Sequence, residues 1–100
     1  ILQRVAEILT ARMRPQDTVA RWGGEEFLVI AESVTRDEAA IIAESLRSLV
    51  ERGTQEVLST TVSIGVVHSN VGRGTEQMLK RADEALYAAK NSGRNRAITL

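Results

Sequence analysis

The 100-residue chain has no cysteine, one histidine, one proline and only three aromatic residues. Without cysteine there is no disulfide and no thiolate chemistry. With a single histidine as well, the chain lacks the Cys and His set that structural zinc sites use. One Trp, one Tyr and one Phe leave the core to Leu, Ile, Val and Ala. Thirteen basic and thirteen acidic residues cancel to a net charge of zero. That balance argues against a nucleic-acid partner, which calls for a basic excess, and leaves room for a local cationic site. No apolar run approaches the roughly 20 residues of a membrane span, and no signal-peptide pattern is visible. The expected setting is therefore the cytoplasm, with no membrane contact by this segment. What remains is 43% hydrophobic and 26% charged, a composition suited to a single small domain over 1–100 with a thin stability margin. The sequence opens inside a helical pattern, which reads as a domain truncated at its N-terminus.

The stretch around which the rest is organised is Arg21-Trp22-Gly23-Gly24-Glu25-Glu26-Phe27. Thr18 to Trp22 can run into a turn and Glu25 to Ile30 can run out of it. A Gly-Gly pair suits a two-residue hairpin connection, because both central residues of a type I′ turn need positive φ. The missing Cβ atoms also let a ligand approach the backbone. Neighbouring strand residues point to opposite faces, so Glu25 and Glu26 cannot share one core. At a turn, a carboxylate is solvated and free to bind a hard cation. A surface hairpin with two solvated glutamates would read the same way from the turn alone.

Along the chain, apolar residues at 1, 2, 5, 6, 8, 9 and 13 predict a helix to about Met13, ended by Pro15. Arg14-Pro15-Gln16-Asp17 follows. It reads as a helix-exit loop with a local ion pair, although an arginine fork beside a carboxylate also suits a guanine edge and a phosphate. Thr35 and Glu38 form a capping box that starts a second helix. Its stripe is Ala39, Ile42, Ala43, Leu46, Leu49 and Val50, and Gly53 is expected to stop it. Residues 59–67 alternate and are β-branched, which predicts a strand, with Gly65 marking a bulge or close packing. His68 at its end reads as solvated. Thr75 is expected to cap a third helix over 76–91, with Met78, Leu79, Ala82, Ala85, Leu86 and Ala89 inward. Residues 97–100 can form a last edge strand. Lys90 and Arg94 read as cations favourably placed at a helix C-terminus, with Gly93 as the cap. Asp83 reads as a structural hydrogen-bond or salt-bridge partner, and Trp22 and Tyr87 as half-buried packing residues.

The heptad at 21–27 resembles the signature of the GGDEF family, the diguanylate cyclases, in its Gly-Gly-Glu-Glu-Phe form. Thr61-Val62-Ser63-Ile64-Gly65-Val66 is similar to the family's Thr-x-Ser-Ile-Gly-Val strand. Residues 81–95 resemble its second signature, Arg-Ala-Asp-x-Ala-Leu-Tyr-x-Ala-Lys-x-x-Gly-Arg-Asn. The resemblance implies an α+β fold: an antiparallel-rich central sheet flanked by helices, like the palm of nucleotide cyclases and polymerases, here lacking the family's N-terminal strand. It implies condensation of two GTP into cyclic di-GMP with release of pyrophosphate, by two domains meeting as a homodimer. Glu25 and Glu26 would be the catalytic carboxylates and the ligands of Mg²⁺ (or Mn²⁺). Gly23 and Gly24 would admit the ribose and α-phosphate, and Lys90 and Arg94 would hold the β- and γ-phosphates. Arg14 and Asp17 match the inhibitory product site for cyclic di-GMP; the family's auxiliary arginine there falls at Ser45, with Arg47 two residues on. The upstream metal-ligating aspartate and the guanine-reading residues have no counterpart, so the chain alone is expected to be inactive. The alternatives are a catalytically inactive receptor for cyclic di-GMP or GTP and an inert piece with exposed sheet edges.

Overall fold

The computed structural model describes residues 2–21, 26–55, 60–68 and 74–99. The element order is α1 (Leu2–Arg12), β1 (Thr18–Arg21), β2 (Phe27–Ile30), α2 (Arg36–Gly53), β3 (Ile64–Val66), α3 (Thr75–Asn91) and β4 (Ala97–Thr99). In α1 the buried residues are Val5, Ile8 and Leu9, the three- and four-residue spacing of one helical face. That face meets Leu46 and Val50 of α2, and these five side chains form the core cluster. Met13, Val19, Phe27, Val29, Ile42, Leu49, Val62 and Ile64 pack around it, so both sheets lean on the α1–α2 pair.

The capping box of α2 is present in both directions. Glu38 N–H donates to Thr35 Oγ1 (3.1 Å), and Thr35 N–H donates to Glu38 Oε1 (2.9 Å). The end of the helix differs from expectation. Gly53 is its last residue, and Thr54 is the C-cap with right-handed backbone. A Cβ on Gly53 would press against Ile8 Cδ1 at 2.8 Å, so this glycine serves the close approach of α1 rather than a left-handed cap. Thr54 is fully buried. Its hydroxyl donates to Val50 O (2.8 Å) and accepts Thr60 N–H (2.9 Å), closing the connector. At α3 the N-cap is Gly74, not Thr75, and no side chain caps it; the Gly74 carbonyl instead receives Met78 N–H (3.2 Å).

Among the described residues the strands make two sheets. β1 and β2 pair antiparallel, from Thr18 opposite Ile30 to Arg21 opposite Phe27. β3 and β4 pair in parallel, from Ile64 with Ala97 to Val66 with Thr99. The α+β class and the antiparallel pairing of β1 with β2 are as the sequence implied, and the parallel pair is an addition. The register differs from expectation: with Arg21 opposite Phe27, five residues separate the paired ends, an odd number that a two-residue connection at Gly23-Gly24 would not give. The strand expected over 59–67 is confined to three residues. Two groups just before it are engaged elsewhere: Thr60 N–H bonds the Thr54 hydroxyl, and Ser63 Oγ accepts Asn95 N–H (3.2 Å). Side-chain partners thus displace ladder bonds. Gly65 is a point of close packing, as anticipated. A Cβ there would collide with the backbone of α3 at Leu86 N and Ala82 O. Ala85, fully buried, also lies against Gly65 through its backbone.

Candidate functional site

The hairpin brings Arg21 and Phe27 directly opposite one another at the foot of its turn. Trp22, Gly23, Gly24 and Glu25 lie outside the described residues. Glu26, just before β2, is half-buried and carries no ion pair among the described residues. Beside this foot is a cleft of about 290 Å³ lined by Leu2, Gln3, Ala6, Thr10, Val19, Arg21 and Phe27. Its walls are mainly apolar, with polar atoms from Gln3, Thr10 and Arg21, and it is open to solvent.

Arg14 and Asp17 are brought together as a clasp. Arg14 Nε donates to Asp17 Oδ2 (3.0 Å) and Nη2 donates to Oδ1 (2.8 Å), a two-pronged pair. Arg14 N–H adds a bond to Oδ2 (2.9 Å), and Glu32 N–H a bond to Oδ1 (3.2 Å). Arg14 Nη2 also donates to Glu32 O (2.5 Å), so the clasp ties the α1–β1 turn to the segment after β2. The Asp17 side chain is 1% exposed while that of Arg14 is 41% exposed. The hydrogen bond from the Arg14 guanidinium holds the Asp17 carboxyl far below the usual carboxylate range; the backbone N–H groups of Arg14 and Glu32 assist, and loss of hydration opposes. A groove of about 500 Å³ runs alongside, lined by Thr10, Met13, Arg14, Pro15, Asp17, Thr18 and Val19. Asp17 is already fully engaged as an acceptor, and Nη1 is the one guanidinium nitrogen of Arg14 with no bond among the described residues.

Ser45, where the resemblance puts an auxiliary arginine, receives a hydrogen bond from Arg12 Nε (3.0 Å). This reach of Arg12 from α1 to α2 follows from how the two helices cross. Arg47 turns elsewhere, toward Glu44 (2.6 Å) and Asn95 (2.9 Å).

Lys90 is exposed in the last turn of α3, and Arg94 is exposed just past it. Neither side chain has an ion-pair partner among the described residues. Arg94 N–H donates to Ala89 O (3.0 Å), which folds the chain back over the end of the helix. Gly93 has φ 131°, and Arg96 lies where its Cβ would be, so glycine is required there. Other expectations change. Tyr87 is 69% exposed rather than packed. Asp83 is exposed and makes no bond among the described residues. His68 is half-buried, and its Nε2 lies 2.9 Å from Val34 O.

The family model described as "Diguanylate cyclase, GGDEF domain" matches residues 1–96. The chain belongs to the GGDEF family. Among curated relatives, diguanylate cyclase DgcM of Escherichia coli K12 is 40% identical over 98% of this chain and 24% of its own length. Diguanylate cyclase A of Treponema denticola is 38% identical over all of this chain and 28% of its own. The chain thus spans about a quarter of these relatives. Among solved structures, the GGDEF domain of DgcB from Caulobacter crescentus, in complex with c-di-GMP, superposes with a TM-score of 0.88 at 33% identity, over 98% of this chain and 61% of that one. The active GGEEF domain of a diguanylate cyclase from Vibrio cholerae gives 0.87 at 26% identity, over 98% of this chain and 65% of that one.

Membership of the family implies use of a divalent metal. The donor chemistry fits a hard cation: the motif offers carboxylate oxygens, the chain has no thiolate, and its one imidazole lies against the Val34 carbonyl. Among the described residues no group of three or more acidic or histidine side chains gathers to form a site.

Proposed function

We propose that this chain is part of a diguanylate cyclase domain that condenses two GTP molecules into cyclic di-GMP. In each half-reaction the 3′-oxygen of one GTP attacks the α-phosphorus of the other. An O3′–P bond forms, the bond to the β-phosphate oxygen breaks, and pyrophosphate leaves. The hydroxyl proton passes to a carboxylate, for which Glu25 is the candidate and Glu26 the support. Gly23 and Gly24 let the ribose and α-phosphate come close. The cleft beside Arg21 and Phe27 offers an apolar wall for the nucleoside. Lys90 and Arg94 take the β- and γ-phosphates, one as a point charge and the other as a fork. Mg²⁺ (or Mn²⁺), held by Glu25 and Glu26, would supply charge neutralisation on the phosphoryl oxygens and the departing pyrophosphate. Two domains meet so that each brings one GTP. Cyclic di-GMP binds at Arg14 and Asp17, where Arg12 brings a second guanidinium to the position of Ser45.

The observation that carries this reading is the exposed Lys90–Arg94 pair, without an ion-pair partner among the described residues, on a turn folded back over the end of α3, within a chain of this family. The test incubates this chain, and the chain extended upstream, with GTP and Mg²⁺ and separates the products by chromatography. Cyclic di-GMP from the extended chain, abolished by Glu25→Ala and by Arg94→Ala, is expected. No product from either chain, with retained cyclic di-GMP binding that Arg14→Ala removes, would establish a receptor instead.

A further inference from the structure

We propose that Arg47 and Asn95 are positioning residues that fix the Lys90–Arg94 pair for a nucleotide's terminal phosphates, a role that rests on the functional reading above. Gly93, Arg94 and Asn95 run consecutively at φ 131°, 61° and 47°. Left-handed backbone is disfavoured for residues that carry a Cβ, and it persists where the surroundings over-determine it. The surroundings here do so through Asn95. Its Oδ1 accepts from Arg47 Nη1 (2.9 Å), its Nδ2 donates to Glu51 Oε2 (2.6 Å), and its N–H donates to Ser63 Oγ (3.2 Å). A donor on one side and an acceptor on the other leave the amide a single orientation. Arg47 is itself held. Its Nε and Nη2 grip Glu44 at 2.6–3.0 Å, Nη1 lies 3.5 Å from Glu51, and its side chain is only 18% exposed.

None of these bonds uses the Arg94 side chain. Its backbone is secured at both ends, the N–H to Ala89 O (3.0 Å) and the carbonyl receiving Arg96 Nε (3.1 Å). If chain reversal were the only requirement, glycine at 94 would serve with less strain. An arginine held in left-handed backbone, with its guanidinium unpaired among the described residues and its neighbour clamped from α2, is a group aimed at something outside the fold. Fixing it in advance lowers the ordering cost when a phosphate arrives.

The test measures affinity for GTP and for GMP, with Mg²⁺, by calorimetry on the chain extended upstream. The variants are Arg94→Ala, Arg47→Ala, Asn95→Gly and the double variant Arg47→Ala/Arg94→Ala. Asn95→Gly keeps left-handed backbone accessible while removing the amide, and it stands in if Arg47→Ala does not fold. Arg47→Ala and Asn95→Gly are each expected to weaken GTP about tenfold and leave GMP unchanged. Arg47→Ala should add little to Arg94→Ala, because it acts through that residue. Additive losses, or equal losses for GTP and GMP, overturn the proposal and leave Arg47 as a brace for the fold. A wild-type chain that binds no GTP, or an Arg94→Ala variant that binds it undiminished, overturns the phosphate assignment itself, and this proposal with it.

Discussion

Asp17 makes the most contacts of any carboxylate described in this chain and is also the most strongly perturbed. Its pKa is depressed in the folded protein, so its contribution to stability is complete above the unfolded value of about 4. That contribution is lost as pH falls through the lower folded value. Glu38, bonded by Thr35, and Glu44, bonded by Arg47, are shifted the same way and act with the same sign. Thermal melts between pH 7 and pH 3 should therefore show a falling acid limb. Asp17→Asn should lower the melting temperature at pH 7 and flatten that limb. An unchanged limb would mean that the clasp contributes nothing to folding. Because Asp17 is closed on by Arg14 and Glu32, a ligand at this site has to compete with the clasp. Arg14→Ala is therefore expected to remove both cyclic di-GMP binding and part of the stability.

Two contacts between elements decide how α3 and α2 sit. Gly65 lets β3 lie against α3 at a separation that admits no Cβ, since the obstructing atoms are backbone. Gly65→Ala should destabilise by about 1–3 kcal/mol, the usual cost of overpacking, measured by urea unfolding; a change near zero would mean that α3 can shift freely. Thr54 is the polar seam where α2 ends. Thr54→Val keeps the shape but removes the buried hydroxyl that donates to Val50 O and accepts Thr60 N–H, and about 1–3 kcal/mol of destabilisation is expected. The capping box of α2 was plain in the sequence, because Thr35 and Glu38 signal it by spacing alone. The Thr54 cap was not, because its second partner, Thr60, is brought back by the fold of the connector.

For the whole molecule, the proposed reaction needs two nucleotides, one from each domain. Initial rates on dilution should then rise more steeply than first order in protein concentration and become linear once the dimer is saturated. Linear rates at every dilution would point to a single domain handling both nucleotides. Among the described residues, β2 pairs only with β1 and β3 only with β4, which leaves both two-stranded sheets with open edges. Open edges invite further pairing, so the chain extended upstream is expected to melt at a higher temperature than this chain, as read by circular dichroism.

By itself, the sequence determined the elements that depend on local pattern. The faces of α1, α2 and α3 follow from apolar spacing, the antiparallel β1–β2 pair from two neighbouring β-forming runs, and the α2 start from its capping box. Two specific signatures carried the family, because motifs are contiguous in the chain. Only the tertiary structure decided what depends on distant partners. It closed Arg14 and Asp17 onto Glu32, sent Arg12 to Ser45, exposed Tyr87, and shortened the third strand by drawing its polar groups to Thr54 and Asn95. It also joined Arg47 and Glu51 to Asn95 across more than forty residues of chain. Hydrogen bonds at that separation leave no periodicity in a sequence, since their geometry exists only once the helices have packed.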